Sequence, residues 1–142
     1  MSNNSILDRL GVDIGYQTTH TKTITGDDIA RFAEISGDFS PVHISPAYAR
    51  KTFFQGRIAH GLMAVLLLSA AIAKLPGMVV LLSNSSKFRK PVKIGDTITA
   101  TATVSTVRKG MGIVVLKSNC TNQNGELVAE AETMVRIYEP PA

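Results

Sequence analysis

Alternation and periodicity change several times along the chain, and each change marks an element. Residues 16–24 alternate loosely with many threonines, which predicts a first strand. Thr25-Gly26-Asp27-Asp28 then reads as a helix start, with Thr25 as cap and two acids at the positive end. Ile29, Phe32, Ala33 and Ile35 give this helix one apolar face, and Ser36-Gly37 closes it. Pro41 biases Ser40 away from helical geometry, so Asp38 to Ile44 is expected to be irregular. Ser45-Pro46 opens a short second helix, the serine as cap and the proline at the first position. From His60 to Lys74 runs the most hydrophobic helix, apolar on nearly every side and therefore expected to be buried on most faces. Pro76-Gly77 stops it.

Strands at roughly 78–89, 96–108, 111–122 and 127–138 follow. Breaks fall at Pro91 to Asp96, at Lys109-Gly110, and at Asn122-Gln123-Asn124-Gly125, which ends in an Asn-Gly hairpin signal. The run Thr97 to Val104 alternates with period two, so one face is apolar and the other polar. One buried helix followed by successive antiparallel strands predicts an α+β fold: a curved antiparallel sheet wrapped around a long central helix. Such a sheet leaves strand edges exposed, and edge-to-edge pairing in a homodimer or higher homo-oligomer is an ordinary solution.

At 142 residues the chain reads as a single domain, 1–142, with its core at roughly 12–138. A composition of 44% hydrophobic and 18% charged residues argues against disorder. Net charge of +4 is a mild basic bias, enough for an anionic small molecule. With 6% aromatics and no Trp there is little for base stacking, so no nucleic acid is expected as partner. The single cysteine, Cys120, lies in a strand-like run and reads as a buried structural thiol, with no disulfide or cysteine-rich zinc site. Gly61 to Ala73, the longest uncharged apolar run, is shorter than the ~20 residues that cross a bilayer, so no membrane partner is expected. Met1 to Leu10 carries no secretion signal and the C-terminus no sorting signal, which makes the cytoplasm the expected location.

Two segments carry chemistry. Ser36-Gly37-Asp38-Phe39-Ser40-Pro41-Val42-His43 places a carboxylate and an imidazole in one Gly- and Pro-bounded loop. Ile58-Ala59-His60-Gly61 heads the apolar helix. A carboxylate and a neutral imidazole together can hold a water molecule and move protons near neutral pH. Free N–H groups at a helix start can polarise a carbonyl. The combination points to acid–base chemistry on a carbonyl compound. Alone, Asp38 reads more readily as a turn carboxylate bonding nearby N–H groups, and His43 as a partly buried imidazole bonded to a carbonyl.

The two segments together resemble the MaoC-like hot-dog-fold family, above all the (R)-specific enoyl-CoA hydratases. That family's pattern is a small residue, Gly, Asp, any residue, usually Asn, Pro, an aliphatic residue and His. Its later aromatic, aliphatic and His-Gly positions match Phe54, Ile58 and His60-Gly61. Phe88-Arg89-Lys90-Pro91-Val92-Lys93-Ile94-Gly95-Asp96 is similar to its strand junction. The chain departs at Ser40, where most members carry Asn.

The resemblance implies a hydro-lyase of fatty acid metabolism that adds water reversibly to a trans-2-enoyl-CoA, giving the (R)-3-hydroxyacyl-CoA. Asp38 and His43 are the expected catalytic pair, with Gly61 as an oxyanion donor through its N–H. Ser40, Ser69, Ile72, Lys87 and Arg89 are expected to contact substrate. Ser69 and Ile72 share a helix face as an acyl-pocket wall; Lys87 and Arg89, with Lys90, face the phosphates of coenzyme A. From the residues themselves, His60 reads mainly as a loop-ordering or packing residue, and His20, in the first strand, as structural or exposed. No metal or redox cofactor is expected, coenzyme A entering as part of the acyl-CoA thioester. The alternatives are a 3-hydroxyacyl-acyl-carrier-protein dehydratase, a hot-dog thioesterase, and a non-catalytic acyl-CoA-binding module.

Overall fold

The computed structural model describes residues 5–142; the first four residues of the expected domain, and of the Met1 to Leu10 segment, lie outside it. Five strands form one antiparallel sheet in the order β1-β3-β4-β5-β2. They are β1 (Gln17–Thr23), β2 (Met78–Phe88), β3 (Thr97–Arg108), β4 (Ile113–Thr121) and β5 (Leu127–Tyr138). The helices are α1 (Ile6–Leu10), α2 (Gly26–Ser36), α3 (Pro41–Ile44), α4 (Pro46–Arg50) and α5 (Leu62–Ile72).

The sheet curls around α5, which packs on β1, β3, β4 and β5. Small side chains make this possible. Ala100 and Ala102 on β3, Ala129 on β5, and Ala64 and Ala71 on α5 are all buried where helix meets sheet. Cys120 is buried in the same layer, its Sγ 3.4 Å from the Ala64 carbonyl, and burial pushes its thiol up to about 11. The opposite face of the sheet is polar, with threonine hydroxyls paired across strands, Thr21 to Thr99 at 3.1 Å and Thr23 to Thr97 at 2.7 Å. Period-two alternation therefore gives the expected two-faced sheet.

Three expectations need correction. Pro41–Ile44 is helical rather than irregular: Ser40 stays extended at ψ 133°, as a residue before proline must, and Pro41 itself starts the turn. Ile35 is 89% exposed rather than part of the buried face of α2. It sits at the edge of that face, three positions and about 60° around the helix from Phe32, and lines an open groove with Phe32, Met63 and Leu66. Helix α5 begins at Leu62, and its outer face is not covered, leaving Leu62 and Leu66 exposed. No helix among the described residues is long and apolar enough to cross a membrane.

Strand β2 lies at the sheet edge beside β5, and Met78, Val80, Leu81 and Leu82 on it are exposed. A bulge interrupts its register between Leu81 and Ser83.

Candidate active site

The loop after α2, the helix α3 and the segment leading into α5 converge beside the start of α5. Thr25 and Asp28 close a capping box at the head of α2, and Gly37 ends the helix in the left-handed region at φ 80°. That reversal delivers Asp38. The Ser40 backbone N–H and hydroxyl both donate to Asp38 Oδ1, at 3.0 and 2.7 Å. With Oδ1 held, Oδ2 faces His43 Nε2 across 4.0 Å. The hydroxyl of Ser40, and then its N–H, hold the Asp38 carboxyl below the usual carboxylate range.

His43 sits on α3, held from two sides. Its Nδ1 lies 2.8 Å from the Ile58 carbonyl oxygen, and Arg57 Nε donates to its own carbonyl at 2.6 Å. A carbonyl oxygen only accepts, so Nδ1 carries the hydrogen, and in the neutral ring Nε2 carries the lone pair. Asp38 Oδ2 and His43 Nε2 are thus two acceptors, too far apart to bond directly and spaced to receive both hydrogens of one water molecule. Ile58 itself is fixed by pairing with Lys93, and Ala59 N donates to the Val92 carbonyl at 2.7 Å. These bonds set the path of Ile58 to Gly61 into α5.

Gly61 and His43 line one cleft of about 270 Å³, with Ile58, Phe88, Arg89 and Pro91 among its walls. A Cβ on Gly61 would sit 3.5 Å from the Phe88 ring, an ordinary contact, and its φ of −55° suits any residue. Packing and backbone therefore do not demand glycine there. What the missing side chain leaves is open approach to the N–H groups of the first turn.

The other expected residues are distributed along the fold. Ser69 and Ile72 line a second cavity of about 190 Å³, between α5 and strands β2 and β5. Ser69 is eight residues, or about 12 Å, down the helix from Gly61. Arg89 lies at the rim of the first cleft and pairs with Glu130 at 3.2 and 3.3 Å. Lys87 is not brought to that cleft: it stands opposite Glu130 and lines a separate depression with Lys117 and Glu132. Lys90 pairs with Glu126. The Ser40 hydroxyl is spent on Asp38 rather than left open. Sequence reasoning missed Asn84 and Thr133, which β2–β5 pairing brings together on the wall of the second cavity, Asn84 Nδ2 donating to Thr133 Oγ1 at 2.8 Å. Only the register of the two strands reveals that pair.

Asp38, His43 and His60 bring ligand-capable atoms within 4.8 Å of one another. The two imidazoles, however, are stacked, with centroids 4.0 Å apart and planes 28° apart. Rings in that arrangement cannot both aim in-plane lone pairs at one ion about 2.0–2.1 Å away. The donor set does not fit a metal. A larger groove of about 700 Å³, between α1 and the end of β5, holds the ion pair of Asp8 with Lys109 and includes none of these three residues.

One antiparallel sheet curled on one helix, with the acid–imidazole loop at the helix start, is a hot-dog fold of the dehydratase kind. Residues 11–124 match the family model described as the MaoC like domain, and the chain belongs to that family. An (R)-specific enoyl-CoA hydratase of Rhodospirillum rubrum is 39% identical over 125 residues, 87% of this chain and 86% of the relative. The structure of an (R)-hydratase from Aeromonas caviae, described as involved in PHA biosynthesis, superposes with a TM-score of 0.86. It is 32% identical, with 89% of this chain and 98% of that one covered. An R-hydratase of Pseudomonas aeruginosa in the unliganded form superposes with a TM-score of 0.85 at 34% identity, covering 90% and 83%.

Proposed function

We propose that this protein is an (R)-specific 2-enoyl-CoA hydratase, a hydro-lyase adding water reversibly to a trans-2-enoyl-CoA. The observation that carries the reading is the 4.0 Å separation of Asp38 Oδ2 and His43 Nε2, two acceptors beside the start of α5. A water donating to both keeps an oxygen lone pair for C3 of the alkene. One of the pair takes a proton as the C–O bond forms, and the electrons of the double bond move onto the thioester oxygen. The Gly61 N–H meets that oxygen. The proton then returns to C2, so that the elements of one water are added across the bond. Asp38 and His43 act on the same water, so the first proton belongs to the pair.

The acyl chain follows α5 toward Ser69 and Ile72, and the phosphates of coenzyme A meet Arg89 at the cleft rim. No metal or redox group enters the chemistry. Pairing of β2 with the same strand of a second copy makes a homodimer that covers Met78, Val80 and Leu82. The test is incubation with crotonyl-CoA. Loss of the conjugated-thioester absorbance without thiol release, with (R)-3-hydroxybutyryl-CoA as product, is the expected result. Release of free thiol instead marks a thioesterase, and binding without either change marks a non-catalytic module.

A further inference from the structure

His60 directly precedes Gly61 and is 3% exposed. Its Nε2 lies 2.9 Å from the main-chain carbonyl oxygen of Asp38. Because that oxygen only accepts, Nε2 carries the hydrogen, and Nδ1 is the bare nitrogen of the neutral ring. Nδ1 is buried with no hydrogen-bond partner among the described residues. The ring itself packs against two others, His43 at 4.0 Å and Phe32 of α2 at 4.5 Å. His43 and His60 are therefore stacked imidazoles of opposite tautomer. The first presents a lone pair at Nε2, the second a hydrogen at Nε2.

We propose that His60 is a positioning residue for the Asp38–His43 pair. Its Nε2–H anchors the main chain of Asp38, and its flat face backs the His43 ring. The two acceptors are thereby held from behind by one side chain that does not reach the substrate. The residue belongs to the short segment that enters α5, so it also ties the acid–base loop to the helix start carrying Gly61. Without the bond to its carbonyl, Asp38 is held only by Ser36 and Ser40 within its own loop. Oδ2 and Nε2 then lose their fixed separation. Misplacement of reacting groups by about 1 Å is enough to cost on the order of 10² in rate.

This inference rests on the hydratase reading, and two variants separate the donor from the ring. His60→Phe keeps a flat ring against His43 but has no N–H; His60→Gln carries an amide N–H near the position of Nε2. His60→Phe is expected to lower kcat by about 10²-fold with KM nearly unchanged, while His60→Gln keeps kcat within about tenfold of wild type. Equal losses in both variants, wild-type kcat in His60→Phe, or a change confined to KM overturns the proposal. Heteronuclear NMR of the unmodified protein at alkaline pH, where imidazoles are neutral, provides a readout independent of folding of the variants. Nε2–H for His60 together with Nδ1–H for His43 is expected, and Nδ1–H for His60 overturns the assignment. Asp38→Asn and His43→Gln run alongside: if they stay active, the hydratase roles fail, whereas if they are inactive and His60→Phe is not, only the His60 role fails.

Discussion

Ser40 is the residue at which this chain departs from the family pattern, and its two bonds to Asp38 Oδ1 give the departure a measurable consequence. In the proposed reaction Asp38 serves as a base only while ionised, and its carboxyl is held low first by the Ser40 hydroxyl. Activity is therefore retained as pH falls until the pair takes up a proton. Ser40→Ala removes the hydroxyl, raises the Asp38 pKa, and is expected to move the acid limb of kcat/KM to higher pH. A limb that stays in place or moves lower contradicts that role. The residues of this site were partly legible beforehand. Asp38, just after Gly37, and His43, just after Pro41, lie five positions apart, and that spacing together with the later His60-Gly61 marks them as a pair. The bond from His60 to the Asp38 carbonyl was not legible, because it joins residues 22 positions apart through a turn of chain that only folding brings round.

At the scale of elements, the start of α5 matters most. Gly61 has room for a Cβ and an ordinary φ, so Gly61→Ala is expected to fold with an unchanged melting temperature. The added methyl crowds the approach to the N–H, and loss of an oxyanion donor predicts a fall in kcat of about 10²-fold. Unfolding of the variant, or full activity, contradicts this reading. Strands were legible from period-two runs such as Thr97 to Val104, and α2 from its cap and closing glycine. Exposure was less legible than pattern: Ile35 sits at the edge of the apolar face of α2 and stays open, and α5, apolar on nearly every side and buried on most faces, leaves one face uncovered. Leu62 and Leu66 show that an apolar residue can stay uncovered in a single chain.

Those exposed positions, and the edge of β2, belong to the whole molecule. An edge strand carrying Val80, Leu81 and Leu82 in the open is a template for pairing with another strand. Placing lysine at both Val80 and Leu82 is expected to convert a dimer into a monomer by light scattering. A dimer that survives the substitution, or a wild-type monomer, contradicts edge pairing. Over the whole chain, architecture followed from the order of patterns, while the depth of the cavities did not, since Asn84 and Thr133 meet only through strand register. The proposed function depends on one relation above the others, the sharing of a single water by Asp38 and His43. It is tested most directly by kcat for Asp38→Asn, His43→Gln and the double variant. Each single change is expected to lower kcat by at least ~10²-fold, and the double change by little more than the worse single one, because both act on the same water. Near-normal turnover in either single variant, or losses that multiply, would contradict it.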